Sequence, residues 1–215
     1  MMCADFLDLK FAVDTFIEEE IDYLHIDIMD GHYVPNFALG VDFCRALYAY
    51  GDIPLDIHLL IDNPDEHVGT FAPFTGSVLS FHPEASSNPP ATIQRIEDSC
   101  MRPGLVLRPD LSLESVKPLL PTVELLCIMT VYPGYAGQSL VHGTIEKIAE
   151  AVAYTGQEGL DLEIEVDGNV SWTNIPRMIE AGATVFVAGT SSIFSGEGNL
   201  RDNARRFREM LSIHP

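Results

Sequence analysis

Residues 23–29 read Tyr-Leu-His-Ile-Asp-Ile-Met, a short apolar run in which His25 and Asp27 sit two positions apart. Side chains alternate along a strand, so Leu24, Ile26 and Ile28 share one face while His25, Asp27 and Met29 share the other. The first face suits packing against helices. The second carries groups that a solvent-free core does not accept without partners. Two further runs divide in the same way. In 55–60 the apolar face is Leu55, Ile57 and Leu59, opposite Asp56, His58 and Leu60; in 162–167 it is Leu162, Ile164 and Val166, opposite Glu163, Glu165 and Asp167.

Beyond these runs, 77–82, 104–108, 125–131 and 184–189 are also short, apolar and β-rich, and each ends in turn-forming residues or a polar break. Between them lie stretches of helical period, such as 41–50, 112–120, 144–157, 173–181 and 199–211, with one more at 5–20 before the first run. Regular alternation of this kind predicts a parallel sheet with crossover helices. No linker or change of composition divides the chain, so one domain over 1–215 is expected. Inward-facing polar residues favour a (β/α)8 TIM barrel over an open doubly wound sheet, and no GxGxxG follows an early strand. Only seven strands are legible, however. The first strand of the barrel is expected to be missing or truncated, with Met1-Met2-Cys3-Ala4 alone preceding the 5–20 helix; a start upstream of Met1 is the other explanation.

The 215 residues carry 12 Lys+Arg against 32 Asp+Glu, a formal charge of −20 that argues against a nucleic-acid partner. The one basic cluster, Arg201, Arg205, Arg206 and Arg208, reads as a solvated helix face. No apolar run reaches the ~20 residues a bilayer span needs, and the N-terminus lacks the pattern of a secretory signal. Four scattered cysteines without CxxC spacing suit a reducing compartment. A cytoplasmic location without membrane attachment is the expectation, with homo-oligomerisation left open.

His25, Asp27, His58 and Asp167 are expected near the C-terminal ends of their strands, where barrel enzymes build their sites. One reading is a set of satisfied core polar pairs; the other is a metal site. Imidazole with carboxylate suits one divalent ion, Zn, Mn, Fe or Co; residue types alone do not choose among them, and Zn is kept only as the default. Three glycine-bearing turns follow the last three strands: Pro133-Gly134-Tyr135-Ala136-Gly137-Gln138, Asp167-Gly168-Asn169 and Ala188-Gly189-Thr190-Ser191. They are read as helix N-termini whose backbone N–H groups favour an anion. The chain has only three lysines, so a phosphate would be held mainly by such amides.

The segments LHIDIMDGHYVPNFALG (24–40), LDIHLLIDNP (55–64), SFHPEA (80–85), MTVYPGYAGQ (129–138), EIEVDGNV (163–170) and AGATVFVAGTSSIF (181–194) resemble the ribulose-phosphate 3-epimerases in order and spacing. The resemblance implies a (β/α)8 barrel and an isomerase of carbohydrate metabolism acting on a small ketose phosphate, ribulose 5-phosphate and xylulose 5-phosphate by default. It implies a divalent metal on residues matching His25, Asp27, His58 and Asp167, and proton exchange at C3 by Asp27 and Asp167. Met29 and Met129, with Leu60 where the family has a third Met, would line the reacting centre. The phosphate would lie on loops holding Gly137, Gly168, Gly189 and Thr190, and the neighbouring Gly134, Ala136, Gln138 and Asn169, with His58, complete the expected binding set.

The chain departs from the pattern at the absent first strand with its substrate-contacting Ser, and at Leu60, Tyr132 and Asn169. HPE (82–84), EIEVDG and GTS (189–191) are more similar to allulose-6-phosphate 3-epimerases, which makes allulose 6-phosphate and fructose 6-phosphate the alternative pair. A non-catalytic sugar-phosphate binder is the alternative of another class. Schiff-base chemistry lacks its key group, because Lys10, Lys117 and Lys147 all fall in helical segments.

Overall fold

The computed structural model describes residues 1–212. Its sheet contains seven parallel strands: β1 (Leu24–Asp30), β3 (Leu55–Leu60), β4 (Val78–Phe81), β5 (Arg102–Leu107), β6 (Leu125–Met129), β7 (Glu163–Asp167) and β8 (Val185–Val187). All seven coincide with the runs read from the sequence. The eighth, β2 (Phe37–Ala38), was not expected. It pairs antiparallel to the end of β1, with Met29 opposite Ala38 and Asp30 opposite Phe37. The order is β2-β1-β3-β4-β5-β6-β7-β8, a curled sheet without a β8–β1 pairing. The strands form an α/β barrel architecture that is open between β8 and β1.

Alternation along the strands produces two apolar regions. Ile26, Ile57, Leu79, Leu105, Leu126 and Val166 face outward and join one large core beneath the helices. Val78, Val106, Leu125, Cys127 and Met129 fill the inside of the curl. At its N-terminal end, Arg102 reaches the Tyr23 hydroxyl at 2.5 Å, Glu124 at 2.7 Å and Glu163 at 2.8 Å, tying the starts of four strands together.

The outer layer is α1 (Leu9–Glu18), α2 (Val41–Tyr50), α3 (Pro64–Phe71), α4 (Pro89–Asp98), α5 (Thr144–Glu158), α6 (Ile175–Glu180) and α7 (Leu200–Ser212). The expected helix over 112–120 is instead two 3-10 turns, Leu113–Ser115 and Leu120–Thr122. Pro118 and Pro121 each remove an N–H from the helical ladder there. The arginine cluster of α7 is more than a solvated face. Arg205 pairs with Glu19 at 2.6 Å, Arg208 with Glu20 at 3.0 Å and Arg201 with Glu18, which clamps α7 to the end of α1. Arg206 lies 4.1 Å over the Trp172 ring. No described helix is long and apolar enough to cross a membrane.

The gap between β1 and β8 is a cavity of about 520 Å³, walled by Leu24 and His25 on one side and Val185–Ala188 on the other. Phe16, Phe194 and Phe207 back it from the helical layer, and Asp56 and Glu165 from the inside. Met1 enters its upper end, where its amino group donates to the His25 carbonyl at 2.5 Å.

Candidate active site

Strand register brings the polar residues together. Parallel pairing of β1 and β3 sets Asp27 opposite His58 and His25 opposite Asp56. Pairing of β6 and β7 sets Met129 opposite Asp167, the last residue of its strand. The side chains converge on one point. His25 Nε2 lies 3.4 Å from Asp27 Oδ1, and His58 Nδ1 lies 3.5 Å from the same oxygen and 3.9 Å from Asp167 Oδ2. One donor atom from each of the four residues lies within 4.8 Å of all the others.

Two observations test whether a cation fits. His25 Nε2 and His58 Nδ1 are buried without a hydrogen-bond partner, and both face this point. A tetrahedral ion with ligand bonds of about 2.0–2.2 Å also requires its ligands to stand ~3.3–3.6 Å apart. The observed 3.4 and 3.5 Å meet that requirement, and Asp167 at 3.9 Å is slightly outside it. The cluster fits a divalent ion better than it fits a set of satisfied core pairs.

The local fields differ between the two aspartates. Burial alone would raise the pKa of Asp27, but His25 and His58 override it and hold the carboxyl well below its usual range. Burial raises Asp167, the His25 charge only partly offsets this, and repulsion from Asp27 adds to the rise. Glu165, buried beneath the cluster, is pushed well up by burial and then by the neighbouring Asp56 charge.

A cavity of about 80 Å³ lies above the cluster. Met29, Leu60 and Met129 line it beside His25, Asp27 and Asp167, as do Gly134, Ala136, Gly168, Asn169, Gly189 and Thr190. Met1, Met2 and Cys3 complete the wall, and no Lys or Arg contributes to it. Three expected residues stand apart. His58 is fully buried beneath the cavity floor. Gly137 sits at the rim, where an added Cβ would lie 4.0 Å from Thr190 Oγ1. Gln138 braces the loop instead, donating its amide to the Tyr132 carbonyl at 2.6 Å and the Tyr135 carbonyl at 2.8 Å.

The turns do not open directly into α-helices, contrary to the expectation from sequence. After Gln138 the chain runs on to Thr144 before α5, after Asn169 to Ile175 before α6, and after Ser191 to Leu200 before α7. The last is interrupted by a hydrogen-bonded turn from Gly189 to Phe194. Any anion grip therefore rests on loop amides more than on helix dipoles. The three lysines are off the inner face: Lys10 pairs with Asp14, Lys117 with Glu114, and Lys147 donates to the Arg108, Pro109 and Leu111 carbonyls.

His82 was not singled out from the sequence. Its Nε2 lies 3.0 Å from His58 Nε2, and its Nδ1 faces Glu84 at 3.6 Å. Burial holds its pKa down at about 4. The signal was available, since Val78, Ser80 and His82 continue the inward-facing alternation of β4.

The model of the Ribulose-phosphate 3 epimerase family matches residues 1–194. The chain belongs to the ribulose-phosphate 3-epimerase family. It is 38% identical over 195 residues to the ribulose-phosphate 3-epimerase of Serratia marcescens, covering 90% of this chain and 92% of that one. Over 220 residues it is 34% identical to ribulose-phosphate 3-epimerase 2 of Cupriavidus necator, covering 99% and 91%. As a member of this family it is an epimerase, an isomerase acting on carbohydrates. Solved structures of similar fold include KGPDC from Streptococcus mutans (TM-score 0.67, 15% identity, covering 96% and 93%). Mycobacterium tuberculosis tryptophan synthase also aligns (TM-score 0.67, 12% identity, covering 96% and 88%). These two carry the barrel-like fold alone.

Proposed function

We propose that this epimerase inverts C3 of a ketose phosphate, interconverting ribulose 5-phosphate and xylulose 5-phosphate, with Asp27 and Asp167 as the proton-exchanging pair. The observation that carries the reading is the convergence of these carboxylates, from near opposite ends of the curled sheet, on one point beneath the cavity. A hydrogen beside a ketone is weakly acidic, and a carboxylate alone removes it slowly. His25, Asp27, His58 and Asp167 would hold a divalent cation, zinc by default, which when bound supplies Lewis-acid stabilisation of the negative charge developing on the sugar oxygens.

One aspartate takes the C3 proton from one face and the other delivers a proton to the opposite face, which inverts the centre. Asp27 on β1 and Asp167 on β7 reach the site from separate strands, one for each face of the reacting carbon. Met29, Leu60 and Met129 supply apolar contact that does not compete for the proton. The amides around Gly134, Gly137, Gly168, Gly189 and Thr190 would grip the phosphate, which accords with the absence of Lys and Arg from the cavity wall.

The cavity of about 80 Å³ is lined in part by the loop that carries Gly134 and Tyr135. That loop is latched by Asn36 to the Gly134 carbonyl at 2.7 Å and by the Tyr135 hydroxyl to the Pro35 carbonyl at 2.5 Å.

Incubation with ribulose 5-phosphate in heavy water tests the reaction. Deuterium at C3 together with xylulose 5-phosphate is expected; uptake of the sugar without exchange would make the protein a binder. Comparing kcat/KM for ribulose 5-phosphate and allulose 6-phosphate decides chain length, since Tyr132 and Asn169 line the cavity where the sugar chain would run.

A further inference from the structure

The four-residue cluster stands on a second, deeper layer. Asp56 and Glu165 lie on the inner face beneath it, and donor atoms of His25, Asp56 and Glu165 lie within 4.8 Å of one another. Asp56 is 2% exposed and Glu165 is fully buried. His25 belongs to both layers, with Nε2 toward Asp27 above and Nδ1 in contact with Asp56 Oδ2 below.

We infer that Asp56 is a positioning residue that fixes the tautomer and the orientation of His25, so that Nε2 presents its lone pair to the cation site. A histidine that ligates a cation does so as the neutral imidazole, which carries its proton on one nitrogen only. With that proton on Nε2, the Nδ1 lone pair would face the Asp56 carboxylate across a short, dry contact, which is repulsive. With it on Nδ1, the ring donates to Asp56, and Nε2 is left with no hydrogen-bond partner and aimed at the cluster. Register makes the contact direct, because His25 and Asp56 are opposite each other in the β1–β3 pairing. Glu165 reaches the same spot from β7. Neither of its oxygens has a hydrogen-bond partner, whereas Asp56 contacts His25 directly.

His58 is oriented by different chemistry. The ring nitrogen it turns away from the cluster meets His82, not a carboxylate. The two imidazoles therefore need not respond alike to loss of their backing groups. A ligating histidine whose second nitrogen loses its acceptor typically binds metal 10–100-fold more weakly.

The inference rests on the cation reading above, and the test separates the two. Zinc affinity is measured by competition with a chromogenic chelator for the wild type and Asp56→Ala, which leaves His25 Nδ1 no side-chain acceptor, alongside nitrogen-detected histidine spectra of the zinc-loaded wild type. Asp56→Ala is expected to bind zinc 10–100-fold more weakly. The wild-type spectrum is expected to have the His25 proton on Nδ1 and zinc on Nε2. A variant that binds within twofold of the wild type overturns the role of Asp56 and leaves the cation reading standing. So does a wild-type spectrum with the His25 proton on Nε2, which needs no variant to fold. Wild-type protein that takes up no zinc overturns both.

Discussion

Asp65 on α3 accepts a hydrogen bond from the Thr92 hydroxyl on α4 at 2.6 Å, and it is the centre of a small network. The same carboxylate accepts from Ser86 Oγ at 2.5 Å, from Ser87 Oγ at 2.6 Å and from the Ser87 backbone N–H at 2.9 Å. Burial alone would raise its pKa, but these donors together hold it far below the usual carboxylate range. Asp65→Ala is expected to cost about 2–3 kcal/mol at pH 7, measured by urea denaturation. The folded pKa is depressed, so this stability is present above the unfolded value near 3.8 and lost as pH falls below it. At pH 3 the gap between wild type and variant should therefore narrow. A gap of the same size at both pH values would show that the carboxylate charge is not what ties α3 to α4.

Asp27→Asn and Asp167→Asn each remove one half of the proposed proton exchange while keeping the side chain's shape. Each is expected to lower kcat by at least ~10²–10⁴-fold, the range general acid–base catalysis supplies, with an unchanged circular dichroism spectrum. Either variant retaining a tenth of the wild-type rate would exclude that aspartate from the exchange. Because each aspartate serves one face, the two variants should differ in exchange. With ribulose 5-phosphate, deuterium should wash into recovered substrate in the variant that keeps the aspartate facing the C3 hydrogen and not in the other. Equal wash-in by both would exclude the one-base-per-face arrangement.

The strand faces were legible because their period is two and owes nothing to distant residues. Alternation alone separated His25 and Asp27 from Ile26 and Ile28, and the structure keeps that separation across β1, β3 and β7. The pairing of β2 with Met29 and Asp30 was not legible, since a two-residue ladder is created by tertiary approach rather than by local pattern. Neither was the role of Asp56. The sequence put it on the inward face, but its contact with His25 depends on the register between strands some thirty residues apart. Starts of α3 and α4 could have been read from Pro64 and Pro89, which occupy the first helical turn where a missing N–H is harmless.

Gly168 follows Asp167 with φ +107°, and a Cβ there would lie 2.5 Å from Val131 Cγ2. Val131 is buried and branched, so it cannot swing aside cheaply. Backbone strain and overpacking together predict that Gly168→Ala costs about 2–5 kcal/mol. Adding Val131→Ala removes the clash but not the φ strain, so the double variant should lose less than the sum of the two single losses. Strict additivity in urea denaturation would show that Val131 is not the obstacle.

The open gap should make β8 the least stable of the seven parallel strands. This strand has three half-exposed residues, pairs on one side only, and faces a cavity of about 520 Å³. Strand β5, by contrast, is paired on both sides, and Leu105, Val106 and Leu107 are fully buried. Local opening follows the fewest buried contacts, so amides of Val185–Val187 are expected to exchange at least ~10-fold faster than those of Leu105–Leu107. The consequence reaches the site, because β8 carries Gly189 and Thr190 to the cavity wall. Ligand that grips those amides should slow exchange in β8 more than in β5. If a saturating ketose phosphate protected the two strands equally, the loop after β8 would not be part of the phosphate grip.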